Sequence, residues 1–184
     1  YPYPDLMKGY QISQYDQPIA SNGILNVAIN ESLKEIGVER VHLEEDVAKL
    51  FHRKDSSGKS FSLLDINRAG VPLMEIVSRP DMRTADEARS YLTQLHAILK
   101  YIGTSTANME EGSFRCDANI SIRPTGSKKL GVKVEVKNMN SLRSVYSALK
   151  FEEKRQIQAT NEGDQIIQET RGWSEKRGVT LSMR

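Results

Sequence analysis

The sequence predicts an α+β fold with a largely antiparallel sheet and two substantial helices. Three observations carry this. Short strand-like runs broken by turn residues fill residues 1–80, and two long helical patterns follow only later. The strands also outnumber the helices and do not alternate with them one for one, which does not fit a doubly wound parallel sheet.

Tyr10-Gln11-Ile12-Ser13 and Ile24–Ile29 are strand-like, with Ser21-Asn22-Gly23 as a turn signal between them. Val38–Glu45 is a further strand, followed by a polar loop from Arg53 to Lys59. Phe61–Ile66 and Leu73–Val77 come next, separated by a loop containing Gly70. The first helix opens on Thr84 and Glu87, the spacing of a capping box. Ala88, Leu92, Leu95, Leu99 and Ile102 then form one helical stripe, and Gly103 supplies the stop. Cys116–Arg123 alternates apolar and polar residues, Pro124-Thr125-Gly126-Ser127 is turn chemistry, and Val132, Val134 and Val136 alternate with lysines and a glutamate. Together these predict an antiparallel pair with one polar face. A charged helix follows from about Leu142 to about Asn161, and a last hairpin is expected from Ile166–Glu169 and Val179–Met183 around Gly172 and Gly178. No repeat or linker divides residues 1–184, which read as a single domain.

The 184 residues suffice for a real core, and a net charge of +2 permits a local RNA-binding patch without demanding one. No apolar run approaches the roughly 20 residues of a membrane span. The single cysteine, Cys116, cannot form an internal disulfide, and His42, His52 and His96 lack zinc-ligand spacing. A reducing cytoplasm is the expected location. Neither end reads as a natural terminus, so further sequence is expected on both sides.

Three clusters bear on chemistry. Glu75 sits in Val71-Pro72-Leu73-Met74-Glu75-Ile76-Val77, where apolar neighbours would hold its carboxylate partly out of water. Such a group needs a metal ion, a cation or good donors. Bound Mg²⁺ satisfies it, and so does a structural pair with Arg68 or Arg79. In His42-Leu43-Glu44-Glu45-Asp46, strand parity puts Glu45 on the apolar face with Val41 and Leu43, opposite His42, Glu44 and Asp46. An acidic run is also an ordinary solvated face. The third cluster is Arg115, Asp117, Asn119, Arg123, Lys133, Glu135 and Lys137, a sheet face suited to gripping an anion or to cross-strand pairing in solvent. The phosphate-binding Gly-x-x-x-x-Gly-Lys loop, the dinucleotide fingerprint and the Gly-x-Ser-x-Gly elbow are all absent from the sequence.

At these residues the chain resembles the GatB family, the B subunits of aspartyl/glutamyl-tRNA amidotransferases. Matching stretches include Gly9-Tyr10-Gln11-Ile12-Ser13-Gln14, His42-Leu43-Glu44-Glu45-Asp46 and the run from Asp65 to Val77. Others are Pro80-Asp81-Met82-Arg83, Asn108-Met109-Glu110-Glu111-Gly112-Ser113, Arg115–Ser121, Glu135–Ser141 and Glu169-Thr170-Arg171. They follow the family's order along nearly the whole chain.

The resemblance implies a cradle-like catalytic domain akin to glutamine synthetase and the guanido kinases. It implies that ATP phosphorylates the side-chain carboxylate of Glu-tRNA(Gln) or Asp-tRNA(Asn). Ammonia released by the amidase (A) partner then displaces phosphate, and a small third (C) partner belongs to the expected assembly. On the family's pattern Glu45 and Glu75 are the Mg²⁺-binding carboxylates. His42, Asp46, Lys49 and Asn67 are expected around the metal or along the ammonia path, and Lys8 and Arg68 as contacts to phosphate or channel water; Arg115 and Lys137, from their place on the polar sheet face alone, are candidates to hold the nucleotide phosphates. The family's metal site also draws a Glu and a His from an N-terminal segment not in this sequence, so the chain alone is expected to be inactive. The rival expectations are a non-catalytic scaffold that docks the amidase and tRNA, and a ligase of the same fold acting on a free amino acid.

Overall fold

The computed structural model describes Leu6 and residues 13–183. In chain order the elements are β1 (Ala20–Ile29), β2 (Ser32–Glu45), β3 (Lys49–Lys54), β4 (Ser60–Asp65), β5 (Pro72–Ser78), α1 (Ala85–Tyr101), β6 (Ala118–Ile120), β7 (Val134–Lys137), α2 (Leu142–Asn161), β8 (Thr170–Ser174) and β9 (Val179–Ser182). The α+β class is as the sequence predicts. The chain forms two compact units: residues 1–26 with 35–81, and residues 27–34 with 82–184. No linker marks this division, because the tip of the β1–β2 hairpin belongs to the second unit.

In the first unit the strand order is β1-β2-β5, and β3-β4 forms a separate two-stranded ribbon. Ser21-Asn22-Gly23 is not a turn but part of β1, where Asn22 adopts a positive φ of 57° and its Oδ1 accepts from Arg79 Nη2 at 2.5 Å. Local turn chemistry here is absorbed by an irregular strand. The Tyr10–Ile12 run lies outside the described residues, and Ser13 is not in a strand. β2 is longer than expected, and β3 is an additional strand that the sequence pattern does not announce.

β5 runs antiparallel to β2, with Glu45 opposite Pro72, Glu44 opposite Leu73, Leu43 opposite Met74 and His42 opposite Glu75. The register shifts between Val38 and Arg40, so β2 carries a bulge there. At the other end the pairing is locked. Asp46 N–H donates to Val71 O and Gly70 N–H donates to Asp46 O, both at 2.9 Å. Arg68 adds bonds from Nε (3.0 Å) and Nη2 (2.6 Å) to Asp46 Oδ2. Gly70 has a φ of +78°, a conformation that glycine adopts without steric cost.

In the second unit α1 packs on α2, and α2 lies on the sheet ordered β6-β7-β8-β9. Thr84 caps α1 by accepting from Glu87 N–H at 3.1 Å, while the Glu87 carboxylate reaches back to Arg83 N–H and pairs with Lys34 at 2.7 Å. The capping box is thus closed one residue earlier than the motif implies. Ala88, Leu92 and Leu99 are buried as the stripe predicts; Ile102, past the last turn, is exposed.

β6 and β7 pair antiparallel, as expected, but β6 is only three residues long. Gly131 lies so close to Ile122 O that a Cβ there would clash at 2.1 Å, so the flanking chain converges without a ladder. β8 runs parallel to β7, and α2 supplies the crossover that parallel strands need. A last hairpin forms, but Ile166–Glu169, the expected first strand, lies in no strand: the strand is β8 from Thr170, with Gly172 inside it rather than at the turn. A Cβ on Gly172 would sit 3.1 Å from Asn138 Nδ2, a tight contact that the amide would have to yield to.

α2 buries Val145, Ala148, Leu149, Glu152 and Gln156 along one stripe. Glu152 is fully buried, yet its carboxylate is met by Arg155, by Gln156 Nε2 at 3.0 Å and by Thr180 Oγ1 at 2.8 Å. Arg171, from the Glu169-Thr170-Arg171 stretch, lies 3.6 Å away and also pairs with Glu169 at 2.7 Å. Burial alone would raise the Glu152 pKa, but these donors outweigh it and the net shift is downward. The same balance lowers Glu87 and Glu169. Carboxyls depressed below their ordinary 4.5 stabilise the fold above that pH, and the contribution is lost as pH falls through the lowered values. Removing the carboxylate with Glu152→Ala takes the acceptor from Arg155, Gln156 Nε2 and the buried Thr180 Oγ1. We expect a loss of about 3 kcal/mol in urea unfolding at pH 7, and a smaller loss of stability on acidification than the wild type shows.

Candidate functional site

Directly opposed residues of an antiparallel pair project to the same face, so the His42–Glu75 register decides which side chains meet. Glu44, two residues along β2, shares that face. The His42 imidazole and the Glu44 and Glu75 carboxylates each offer one ligand atom, all within 4.8 Å of one another. Among the described residues this is the arrangement of three or more such groups that could hold a metal ion.

His42 is 2% exposed, with Nε2 3.4 Å from Glu75 Oε2. Its Nδ1 is buried and finds no hydrogen-bond partner among the described residues. An imidazole with one long contact and one orphaned nitrogen is a group whose bonding capacity the surrounding protein leaves unmet. Tyr15 stands edge-on to the ring at 6.2 Å, with the Arg40 guanidinium 4.3 Å over the tyrosine. Glu75 is less buried than its neighbours suggest. Its side chain is 49% exposed because β5 is an edge strand among the described residues, and its ion-pair partner is His42 rather than the arginines the sequence offers. Arg68 pairs with Asp46, and Arg79 bonds Asn22.

The pairing expected from sequence, Glu45 with Glu75, falls on opposite faces. Glu45 opposes Pro72, is exposed, and projects with Leu43 and Val41. Strand parity on β2 is as the sequence reads; which face β5 adds Glu75 to is a matter of register, and the sequence does not contain it. Glu44 is the residue that the sequence motifs alone do not single out. The pattern His-x-Glu, two residues apart on a strand, was the available signal.

Asp46 is buried and ties the strand end to Arg68, while Asn67 bonds Asp65 through both its N–H and Nδ2. Lys49 is exposed at the start of β3, its ammonium 4.8 Å from the Phe51 ring centroid. Lys8 lies outside the described residues. Arg115 and Lys137 belong to the second unit. There Lys137 pairs with Asp117 of the neighbouring segment at 3.3 Å and with Glu135 of its own strand at 3.6 Å. Burial lowers the Lys137 pKa less than those two carboxylates raise it. The Asn108–Ser113 stretch closes a tight loop: Asn108 Oδ1 accepts from Glu110 and Glu111 N–H, and Ser113 Oγ accepts from Asn108 N–H. Burial, with Asp117 adding, pushes the Cys116 thiol up to about 12, which disfavours the thiolate. No helix of the described residues is long and apolar enough to cross a membrane.

Residues 1–184 match the family model described as GatB/GatE catalytic domain. The chain belongs to the GatB/GatE catalytic-domain family. It is similar to the B subunit of the aspartyl/glutamyl-tRNA(Asn/Gln) amidotransferase of Dehalococcoides mccartyi (strain CBDB1), 61% identical over 184 residues covering all of this chain and 37% of that protein. The same-named protein of Carboxydothermus hydrogenoformans is 56% identical over 100% of this chain and 38% of its own length, and that of Trichormus variabilis is 52% identical over 100% and 39%. The chain thus spans less than two fifths of the length of these relatives. In this GatB/GatE domain the motifs divide by role: His42, Glu44 and Glu75 converge, whereas Asp46, Arg68 and the Asn108–Ser113 loop hold backbone.

Two carboxylates and an imidazole suit a divalent ion such as Mg²⁺ or Mn²⁺, and the half-exposed Glu75 leaves one side open to a ligand. In a Mn²⁺ titration of the full-length protein, Glu44→Gln and Glu75→Gln should each raise the dissociation constant by at least about 10-fold. Glu45→Gln should leave it unchanged.

Proposed function

We propose that this chain supplies the carboxylate-activating site of a tRNA-dependent amidotransferase, with a divalent cation held by His42, Glu44 and Glu75. The observation that carries the proposal is the convergence of these three groups on one face of the β2–β5 pair, in a chain of this family. The names of the relatives supply the substrate class, tRNA charged with aspartate or glutamate, and the nitrogen transfer.

In the proposed reaction the side-chain carboxylate of Glu-tRNA(Gln) or Asp-tRNA(Asn) attacks the γ-phosphorus of ATP, giving an acyl phosphate and ADP. Ammonia then attacks the acyl carbon, and phosphate leaves as the amide forms. Bound Mg²⁺ would supply charge neutralisation for the transferring phosphoryl group. The chain's own part is positional. His42 is buried and fixed by its strand, so it defines one side of the site. Glu44 and Glu75 contribute the negative charge that recruits a cation, and the exposure of Glu75 keeps the substrate side accessible. The Asp46–Arg68 pair and the backbone bonds at Gly70 and Val71 hold the two strands in the register that brings the carboxylates together. The amidase (A) and small (C) components of the amidotransferase, together with charged tRNA, are the proposed partners, in the cytoplasm. A glutamine synthetase-like cradle is the proposed relationship of the fold.

The test uses the full-length protein in complex with its partners, with ammonium salt as nitrogen donor so that glutaminase activity is bypassed. Glu44→Gln and Glu75→Gln should each lower charged-tRNA-dependent ADP release by at least about 100-fold while assembly and tRNA binding persist. ADP release near the wild-type rate in both variants would return the site to a structural pair and favour the scaffold role.

A further inference from the structure

The β3–β4 ribbon has no part in the site just described, yet it is built unlike a structural hairpin. Its two strands pair antiparallel from Lys49–Asp65 to Lys54–Ser60 and join no other strand among the described residues. A free two-stranded ribbon normally needs a hydrophobic face packed on something. Here Phe61 is 43% exposed and Leu63 53%, and Leu64 and Ile66 are also exposed. Register puts Phe51, Phe61 and Leu63 on one face with Lys49, Arg53 and Asp65, the last opposite Lys49. The Lys49 ammonium and the Arg53 guanidinium lie 4.8 and 5.5 Å from the Phe51 centroid.

Charge identifies the occupant. Between residues 49 and 65 the ribbon carries Lys49, Arg53, Lys54 and Lys59 against Asp55 and Asp65. Neither carboxylate is buried, and each accepts from donors of its own loop. Asp55 Oδ1 accepts from Ser57 Oγ at 2.6 Å, Ser57 N–H at 2.9 Å and Lys59 N–H at 3.0 Å, which hold its carboxyl below the usual range. Asp65 Oδ1 accepts from Asn67 N–H and Nδ2. Four cations against two carboxylates leave the ribbon at +2, as much as the net charge of the whole chain. Lys54 projects from the face opposite Phe51, with His52, Ser60 and Ser62, so both faces of the ribbon carry cations. The exposed Phe61 and the half-buried Phe51, interleaved with cations, are the make-up of a surface that takes unpaired nucleotides, where bases stack and phosphates meet the cations.

Placement agrees. The ribbon leaves the chain three residues after Asp46 and returns through Asp65 into the loop that Arg68 ties to Asp46. It is rooted at the end of β2 that carries Glu44, and six residues per strand give it a reach of roughly 20 Å. We propose that the β3–β4 ribbon is an RNA-contact element that grips single-stranded nucleotides of the tRNA near its charged end. The choice of RNA rests on the tRNA substrate proposed above.

The test measures binding rather than turnover. The full-length protein, in complex with its partners, would carry Phe61→Ala in one variant and Lys54→Gln with Lys59→Gln in another, and charged tRNA would be titrated across a salt series. Each variant should weaken binding by about 10-fold. The lysine variant should also flatten the dependence of log affinity on log salt by about 1.4, for two lost single-strand phosphate contacts, and Lys54→Arg with Lys59→Arg should restore it. Turnover at saturating tRNA should stay at the wild-type level, which separates this surface from the Glu75 site. Unchanged affinity and salt slope in both variants, with wild-type binding intact, would overturn the inference alone. Loss of complex assembly with unchanged tRNA affinity would also overturn it and make the ribbon a protein interface. Failure of the wild-type complex to bind charged tRNA would remove the substrate reading beneath it.

Discussion

The pairing of β2 with β5 in one register is the constraint on which the rest of the first unit depends. Because side chains alternate with a period of two, a slip of one residue would carry Glu75 to the face of Glu45 and leave His42 without its neighbour. The register is fixed where the two strands are joined. Asp46 exchanges backbone bonds with Gly70 and Val71, and its buried carboxylate is held by Arg68. Counting outward from that junction, each residue gained on β2 is matched on β5 until His42 meets Glu75. Motif residues that look chemical in the sequence thus act through backbone geometry, several residues away from the groups they align.

The arrangement also explains why the first unit tolerates a buried imidazole whose Nδ1 has no partner among the described residues. The cost of desolvating such a group is borne by a strand paired along its length and closed at its end. The second unit handles buried charge in the opposite way. Glu152 lies within the apolar stripe of α2 but is surrounded by Arg155, Gln156, Thr180 and Arg171, so its interaction capacity is used. One site is satisfied and structural; the other is left open on its Glu75 side.

Much of the fold was legible in the sequence, and the exceptions have physical causes. The Thr84 cap, the α1 and α2 spans and the antiparallel β6–β7 pair follow from local chemistry and periodicity, which residues within one element decide. The β8 strand start, the parallel β7–β8 pair and the passage of β1 through Asn22-Gly23 depend on neighbours distant in sequence. Glu75 and His42 were both marked by sequence, but Glu44 was not. Parity within β2 is local; the facing of β5 onto it is not, because it is set by the Asp46 junction and interrupted by the bulge before Arg40. The β3–β4 ribbon was half seen, as a polar loop and one strand, since Lys49 and Arg53 mask the strand pattern of Leu50 and Phe51.

The measurement that tests the account most directly is anomalous diffraction from Mn²⁺ in crystals of the full-length protein with its partners. The account predicts a peak with oxygen ligands from Glu44 and Glu75 at about 2.0–2.3 Å and a nitrogen ligand from His42. A peak coordinated by Glu45 in place of Glu44, or a site that omits His42, would contradict the register on which the functional reading stands.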